Sequence, residues 1–347
     1  MGTLRITGII ELDQFWPVCD SDADTTKIKL TVGNKSFQYR EEGEIDFKIT
    51  KVFKDAISKG QGFRAVIKTS KKTGEQTITV RLQGVDAPEL HYKAAPLKTD
   101  PAITAAKRAK FNELNKERRQ CFAESATVAL FNHLKQFADG KMIVAAIFES
   151  TVDKPFEVVD TYGRFIGNIF VNNDKDVNLW LVENGWCTPA FYTSMAKEEI
   201  EAFLAAWKKG KKVKGRTSKS IIKDASKFDD SLLYRKPGTV TNFKIGDDKG
   251  KTIMPKIYRR QVSWVVSKKA KVISAGTSFK TQLKKSPDQL VLLNDFLSDG
   301  LTASSVHALH DFISDQNNIL KKPEEFIFQE KPGTLVNSRG KKITEWK

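Results

Sequence analysis

Cysteine is scarce in this chain of 347 residues: only Cys19, Cys121 and Cys187, odd in number and far apart. That usage excludes a disulfide-stapled scaffold, and with no CxxC pair it offers no zinc knuckle. Histidine is nearly as rare. His307 and His310 lie three apart, but with no partnering Cys or Asp constellation they read as surface or core residues rather than metal ligands. No apolar run approaches the roughly 18 to 20 residues that span a bilayer. Neither a lipidation motif nor a cationic amphipathic terminus supports a membrane surface as partner. The opening MGTLRITGII lacks a basic n-region with a long apolar segment behind it. The chain as it stands is therefore expected in the cytoplasm, and outside the cell only if a leader was removed.

What the chain does carry is positive charge and aromatic mass. Lys and Arg number 58 against 42 Asp and Glu, a formal net charge of +16. That balance favours polyanionic partners, chiefly DNA or RNA, through phosphate neutralisation and counterion release. The 22 Phe and 6 Trp need a core to bury them, which excludes disorder over most of the chain. At about 150 residues per domain, the length fits two domains or one with large insertions.

Period-two alternation predicts strands at LRITGIIEL and KIKLTV, separated by the polar QFWPVCDSDADTT. A β-rich run from Phe37 through FRAVIKTSKKTGEQTITVRLQGV follows, with KTSKKTGEQ as a hairpin turn. MIVAAIF and RFIGNIFV predict two further strands. Helical spacing predicts helices at PAITAAKRAKFNELNKERR, from Cys121 to Phe137, over DVNLWLVENGW up to Gly185, and over SMAKEEIEAFLAAWKK. Trp180, Trp186 and Trp207 fall on their apolar faces. The basic KKGKKVKGR that follows is a solvated helix end or a phosphate-contacting tail. Residues 216–227, charged and Ser-containing, read as a linker to a second unit over residues 228–347. There TVTNFKI, KIYRRQVSWVV and EEFIFQE look like strands. A helix is punctuated by Ser286 as N-cap, Pro287 at its first position and Gly300 after its end. Tyr258-Arg259-Arg260 can bind phosphate but reads better as a strand-edge charge cluster.

The segment VRLQGVDAPEL, residues 80–90, holds the most chemistry. Arg81 ends a strand, and Asp86 and Glu89 follow on a short Pro-containing loop. Carboxylates three apart on a loop can converge on one hard cation, with the carbonyl of Ala87 between them. Glu89 can instead activate a water as general base. The planar fork of Arg81 suits a phosphoryl oxygen. In VDTYGRF, residues 159–165, Gly163 lets the chain turn sharply and projects Arg164 beside Tyr162. Two arginines, two carboxylates and a tyrosine in a +16 chain point to phosphodiester hydrolysis, where fixed cations stabilise the developing charge.

In these residues the chain resembles the staphylococcal nuclease (thermonuclease) family. The features that carry the resemblance are Arg81-Leu82, Val85-Asp86-Ala87-Pro88-Glu89 and Asp160-Thr161-Tyr162-Gly163-Arg164. Glu124-Ser125-Ala126 opening one helix and Val177-Asn178 to Asn184-Gly185 in another agree in order and spacing. The resemblance covers roughly residues 1–215. It implies an α+β fold: a five-stranded OB-type Greek-key β-barrel with packed helices, with insertions near residues 33–75 and 92–120. Residues 228–347 would add a smaller C-terminal α+β accessory unit. The family is a calcium-using hydrolase, an endonuclease acting on DNA and RNA. By position, Arg81 and Arg164 would stabilise the pentacovalent phosphorus and Glu89 would be the general base. Asp86 and the carbonyl of Ala87 would hold Ca²⁺, Tyr162 would contact phosphate or sugar, and Tyr192 or Phe191 would stack on a nucleotide. A monomer is expected.

One departure matters. The family's other calcium aspartate lies in a DGDT-like turn about 14 residues before the first arginine, where this chain has Ile67. The nearest match is Asp22-Ala23-Asp24-Thr25, which would make Asp24 the ligand. Either residues 33–75 are an insertion within the barrel hairpin, or the first 45 residues are an extra element and SKGQGF replaces the metal turn. The acid spacing and the strand after DADT favour the first. An ordinary Asx-rich turn is the bland reading of Asp22 and Asp24. Two functions follow: a metal-dependent nuclease, or a nucleic-acid-binding barrel without catalysis.

Overall fold

The alternation in LRITGIIEL becomes strand β1 (Gly2–Glu11), in which Leu4, Ile6 and Ile10 point inward and Arg5, Thr7 and Ile9 are partly exposed. This is the pattern of a sheet with one buried face. The computed structural model describes residues 1–60, 62–227, 229–330 and 333–346. It divides the chain into two compact units, both discontinuous in sequence. The first comprises Met1–Gln83, Val128–Leu181 and Glu330–Lys347; the second comprises Gly84–Thr127 and Val182–Gln329.

The first unit holds a closed five-stranded barrel. Its other strands are β2 (Thr25–Leu30), β3 (Gln76–Leu82), β4 (Ile143–Val152) and β5 (Phe165–Val171). β1 pairs with β2 and β2 with β3, both antiparallel; β3 pairs with β5 in parallel, β5 with β4 antiparallel, and β4 closes onto β1. The β4–β1 ladder runs ten residues, from Gly2↔Val152 to Glu11↔Ile143. This is the OB-type order, and closure leaves the barrel strands no open edge. Ile28, Ile78, Val80, Phe148, Phe165 and Ile169 fill the interior.

KIKLTV supplies β2, so residues 31–75 lie between the paired strands β2 and β3. Within them, Phe37–Glu41 pairs with the start of β1, and Ile67–Thr69 forms the expected hairpin with β3. Ile57–Gly60 pairs with Gly62–Ala65 on one side and with Leu335–Val336 on the other. The Trp346 ring stacks on Tyr39 at 3.9 Å, and its indole N–H donates to the Asp153 carbonyl at 2.8 Å.

Four helices match the sequence expectation: α1 (Ala105–Leu114), α2 (Ala123–Lys135), α3 (Val177–Glu183) and α4 (Lys197–Gly210). Asp176 caps α3, accepting from the Leu179 N–H at 2.9 Å, and burial pushes its carboxyl up to about 6 from 3.8. A raised folded-state value means that the group's contribution to stability is present below about pH 4 and lost as pH rises through about 6. Asp176→Asn keeps the capping oxygen without the charge. It should be more stable than the parent at pH 7 and equal to it near pH 4, measured by urea denaturation at both.

The second unit corrects several expectations. KIYRRQVSWVV is not a strand but lies within helix α5 (Pro255–Lys269). Ile257, Tyr258, Gln261, Val262 and Val266 recur at helical spacing and are buried, and Pro255 sits at the helix start, where a missing N–H costs nothing. TVTNFKI forms no strand, because it has no buried face to pair: every residue in it is exposed or half-exposed. The helix expected from Pro287 begins only at Leu293–Asp299, since Gln289–Leu292 is drawn into a sheet between Phe326–Phe328 and His307–Ala308. Leu290 and Val291 are fully buried there, and this pairing outweighs the N-cap signal. Residues 216–227, read as a linker, run through the second unit with a helical turn at Thr217–Ser220 and with Thr217, Ser220 and Ala225 buried. No helix among the described residues is long and apolar enough to cross a membrane.

Candidate functional site

The residues singled out in the sequence fall in two groups, one in each unit. In the first unit the register of β2 on β3 sets Thr25 opposite Arg81, and the Leu82 N–H donates to the Asp24 carbonyl at 2.8 Å. The DADT turn is thus pinned to the end of β3. Asp24 is 4% exposed, and Arg81 Nη2 lies 3.4 Å from its Oδ2. The Thr25 hydroxyl donates to Asp24 Oδ1 at 3.0 Å and accepts from Arg164 Nη1 at 3.4 Å. The parallel β3–β5 pairing, Val80↔Phe165, is what brings Arg164 to this end of the barrel.

Asp160 builds the turn that presents Arg164. Its Oδ1 accepts the N–H groups of Tyr162 at 2.8 Å and Arg164 at 2.9 Å, and its Oδ2 accepts from Arg164 Nε at 2.7 Å. Gly163 takes φ +81°, which a side chain would strain. Tyr162 is half-exposed, with the Arg164 guanidinium 5.3 Å from its ring centre. Two arginines and one tyrosine at one barrel end, buried on their inner sides by two aspartates, form a surface suited to phosphoryl oxygens.

In the second unit the DAPEL loop is clamped from several sides. Val85–Asp86 pairs with Thr188–Pro189, and the Thr188 hydroxyl donates to the Asp86 carbonyl at 3.1 Å. Gly84 has φ +73°, and a Cβ there would lie 2.4 Å from the Phe203 ring, so only glycine fits. Gln120 holds Glu89 by its backbone: its side-chain oxygen accepts the Glu89 N–H at 2.9 Å, and its own N–H donates to the Glu89 carbonyl at 2.8 Å. The Gln120 amide in turn donates to Thr252 Oγ1 at 2.9 Å and to the Ile253 carbonyl at 2.7 Å.

The carboxylates of this loop do converge on a cation, and that cation is a side chain. Arg259, on the first turns of α5, donates through Nη1 to Glu89 Oε1 and places Nη2 3.5 Å from Asp86 Oδ1. Asp86 and Glu89 are 4% and 8% exposed, and Ala87 between them is buried. The sequence offered one signal for this, Tyr258-Arg259-Arg260 behind a helix-starting Pro255. The strand-edge reading of that triplet hid it.

The nucleotide-stacking candidates differ. Phe191 is fully buried and closed to a base, whereas Tyr192 is half-buried on a short strand paired with Phe326–Phe328, its ring 5.8 Å from Lys256 Nζ. His307 and His310 lie on a strand end and a single helical turn. Among the described residues no three Asp, Glu, His or Cys side chains cluster as a metal site. Asp24 and Asp86 each have an arginine at the carboxylate, which does not fit an open, oxygen-only calcium cage.

Comparison with protein families matches residues 79–217 to a family described as staphylococcal nuclease homologues. The match takes in the last four residues of β3, the DAPEL loop, the Asp160 turn and α4. Comparison with curated proteins finds no match.

Proposed function

The chain carries a staphylococcal nuclease-like domain, and from that premise we propose that it hydrolyses phosphodiester bonds of DNA or RNA as an endonuclease of the thermonuclease type. The observation that supports this best is the meeting of Arg81 and Arg164 at one end of the barrel, tied through Thr25 to Asp24. Both guanidiniums suit phosphoryl oxygens and would stabilise the charge that grows as water attacks phosphorus. Glu89 is assigned the proton of that water. Half-exposed Tyr162 is assigned to phosphate or sugar, and Tyr192 to a nucleotide base.

Calcium is the cofactor the family implies; by position its ligands would be Asp24, Asp86 and the Ala87 carbonyl, but the arginine on each of the two carboxylates does not fit such a cage. In the family's chemistry a bound cation would neutralise phosphoryl charge; the stabilisation these side chains themselves supply is hydrogen bonding from Arg81 and Arg164. A second reading, a nucleic-acid-binding barrel without catalysis, draws support from one contact, the Arg259 guanidinium on the carboxylate of the assigned base.

The test is incubation with single-stranded DNA and RNA, in Ca²⁺ and in EGTA. Cleavage lost in EGTA supports the calcium-dependent form. Cleavage surviving EGTA assigns the charge stabilisation to the arginines. Salt-sensitive binding with no cleavage under any metal sinks the nuclease and leaves the second reading.

A further inference from the structure

Helix α5 starts with an electrostatic problem. Lys256, Arg259 and Arg260 all fall in its opening turns, and its first turn holds no acidic residue. The N-terminal end of a helix is itself positive, so three cations there demand anions from elsewhere. Burial pushes Lys256 down to about 8. Arg260 is answered by Asp288, which accepts from its Nε at 2.9 Å and its Nη2 at 2.7 Å. Arg259 is answered by the DAPEL loop, through Glu89 and Asp86. The loop has the complementary problem: two nearly buried carboxylates three residues apart, which repel each other unless a cation joins them.

We propose that Arg259 is the resident cation of the DAPEL loop, holding Asp86 and Glu89 where a divalent ion would otherwise hold them, so that such an ion binds Asp86 only by displacing this guanidinium. The inference deepens, and rests on, the reading of Asp86 and Glu89 as the loop's functional carboxylates. Arg259 acts through those two groups and is a positioning residue. A divalent ion arriving at Asp86 meets a guanidinium whose Nη2 is 3.5 Å from the same oxygen. An ion bound to that oxygen and the guanidinium beside it carry like charges, which repel in a poorly hydrated site, and affinity for the metal falls accordingly. Arg259 also ties the loop to a helix 170 residues further along the chain. Occupancy of the loop by metal and the seating of α5 are then linked, each weakening the other.

Titration of the full chain with Ca²⁺ alone, followed by isothermal calorimetry without nucleic acid, tests this. Arg259→Gln should bind Ca²⁺ about ten-fold more tightly than the parent, and adding Asp86→Asn should abolish the gain. Arg259→Lys keeps the charge but cannot span both carboxylates. It should show a smaller gain of about three-fold, and it serves if the Gln variant does not fold. Equal Ca²⁺ affinity in the parent and in a folded Arg259 variant overturns the proposal. So does a gain that survives Asp86→Asn. A gain in affinity with no cleavage by any variant leaves this inference standing and removes the nuclease reading. Cleavage by the parent with equal affinities does the reverse.

Discussion

Glu89→Gln should cut the rate of phosphodiester cleavage by about 10² to 10⁴, the usual range for loss of a general base, and leave nucleic-acid binding almost unchanged. The glutamine amide has the shape of the carboxylate but cannot take a proton from water. Its backbone does not depend on the side chain, because Gln120 holds Glu89 through both its N–H and its carbonyl. The amide oxygen can still accept from Arg259, so the loop keeps its clamp. Binding is governed by a +16 chain and by phosphate contacts, and neither changes by more than one charge. Single-turnover cleavage alongside binding measured over a series of salt concentrations separates the two effects. Equal cleavage by parent and variant would remove Glu89 from the mechanism, and a large loss of binding would mean that the substitution disturbs the fold.

Glu124→Gln should be the most damaging substitution for stability, by about 3 kcal/mol. Glu124 has no exposed surface, and its Oε1 accepts from Arg235 Nε at 2.6 Å and lies 3.5 Å from Arg119 Nε. Arg119 also reaches Asp248 at 3.1 Å, an acid whose carboxyl burial pushes up. Removing the Glu124 charge leaves two guanidiniums, one of them largely buried, without the buried carboxylate that both approach. The figure stays at the low end of the range because water reaches about a third of Arg235. Thermal unfolding of the two proteins at pH 7 checks it. A melting temperature unchanged within error would show that water compensates the arginines. The same variant should keep the Arg81 and Arg164 end of the barrel, since that group rests on Asp24, Thr25 and Asp160.

The barrel was legible because each of its strands has one wet face and one dry face, so a period of two is written into the residues. Leu4, Ile6 and Ile10 alternate with Arg5, Thr7 and Ile9 for that reason alone. The strand end, loop and tight turn that carry Arg81, Asp86, Glu89 and Arg164 are each local features, but their division into two groups, Arg81 with Arg164 and Asp86 with Glu89, is not written in any local pattern. Arg259 was not readable. Val262, Trp264, Val265 and Val266 carry β-branched and aromatic side chains that favour strands, and only the burial of Ile257, Tyr258, Val262 and Val266 in one core with Phe279, Leu290 and Phe326 shows that the period is helical. QLVL failed in the opposite direction: its N-cap signal was real, but a sheet partner more than 30 residues away claimed it. Pairings across such separations leave no trace in the local pattern.

The way the first unit is stitched together constrains how the protein can be made. Tyr39 leaves the ribosome early, but the ring that covers it, Trp346, and the strand that borders Ile57–Gly60, Leu335–Val336, follow roughly 300 residues later. At about 5 to 20 residues per second, translation separates these partners by some tens of seconds. During that interval the nascent barrel carries an uncovered aromatic ring and an unpaired strand edge, the surfaces on which newly made chains stick to one another. Slower translation of the later segments would lengthen that exposure. A synonymous recoding that does so should lower the soluble yield without altering a single residue.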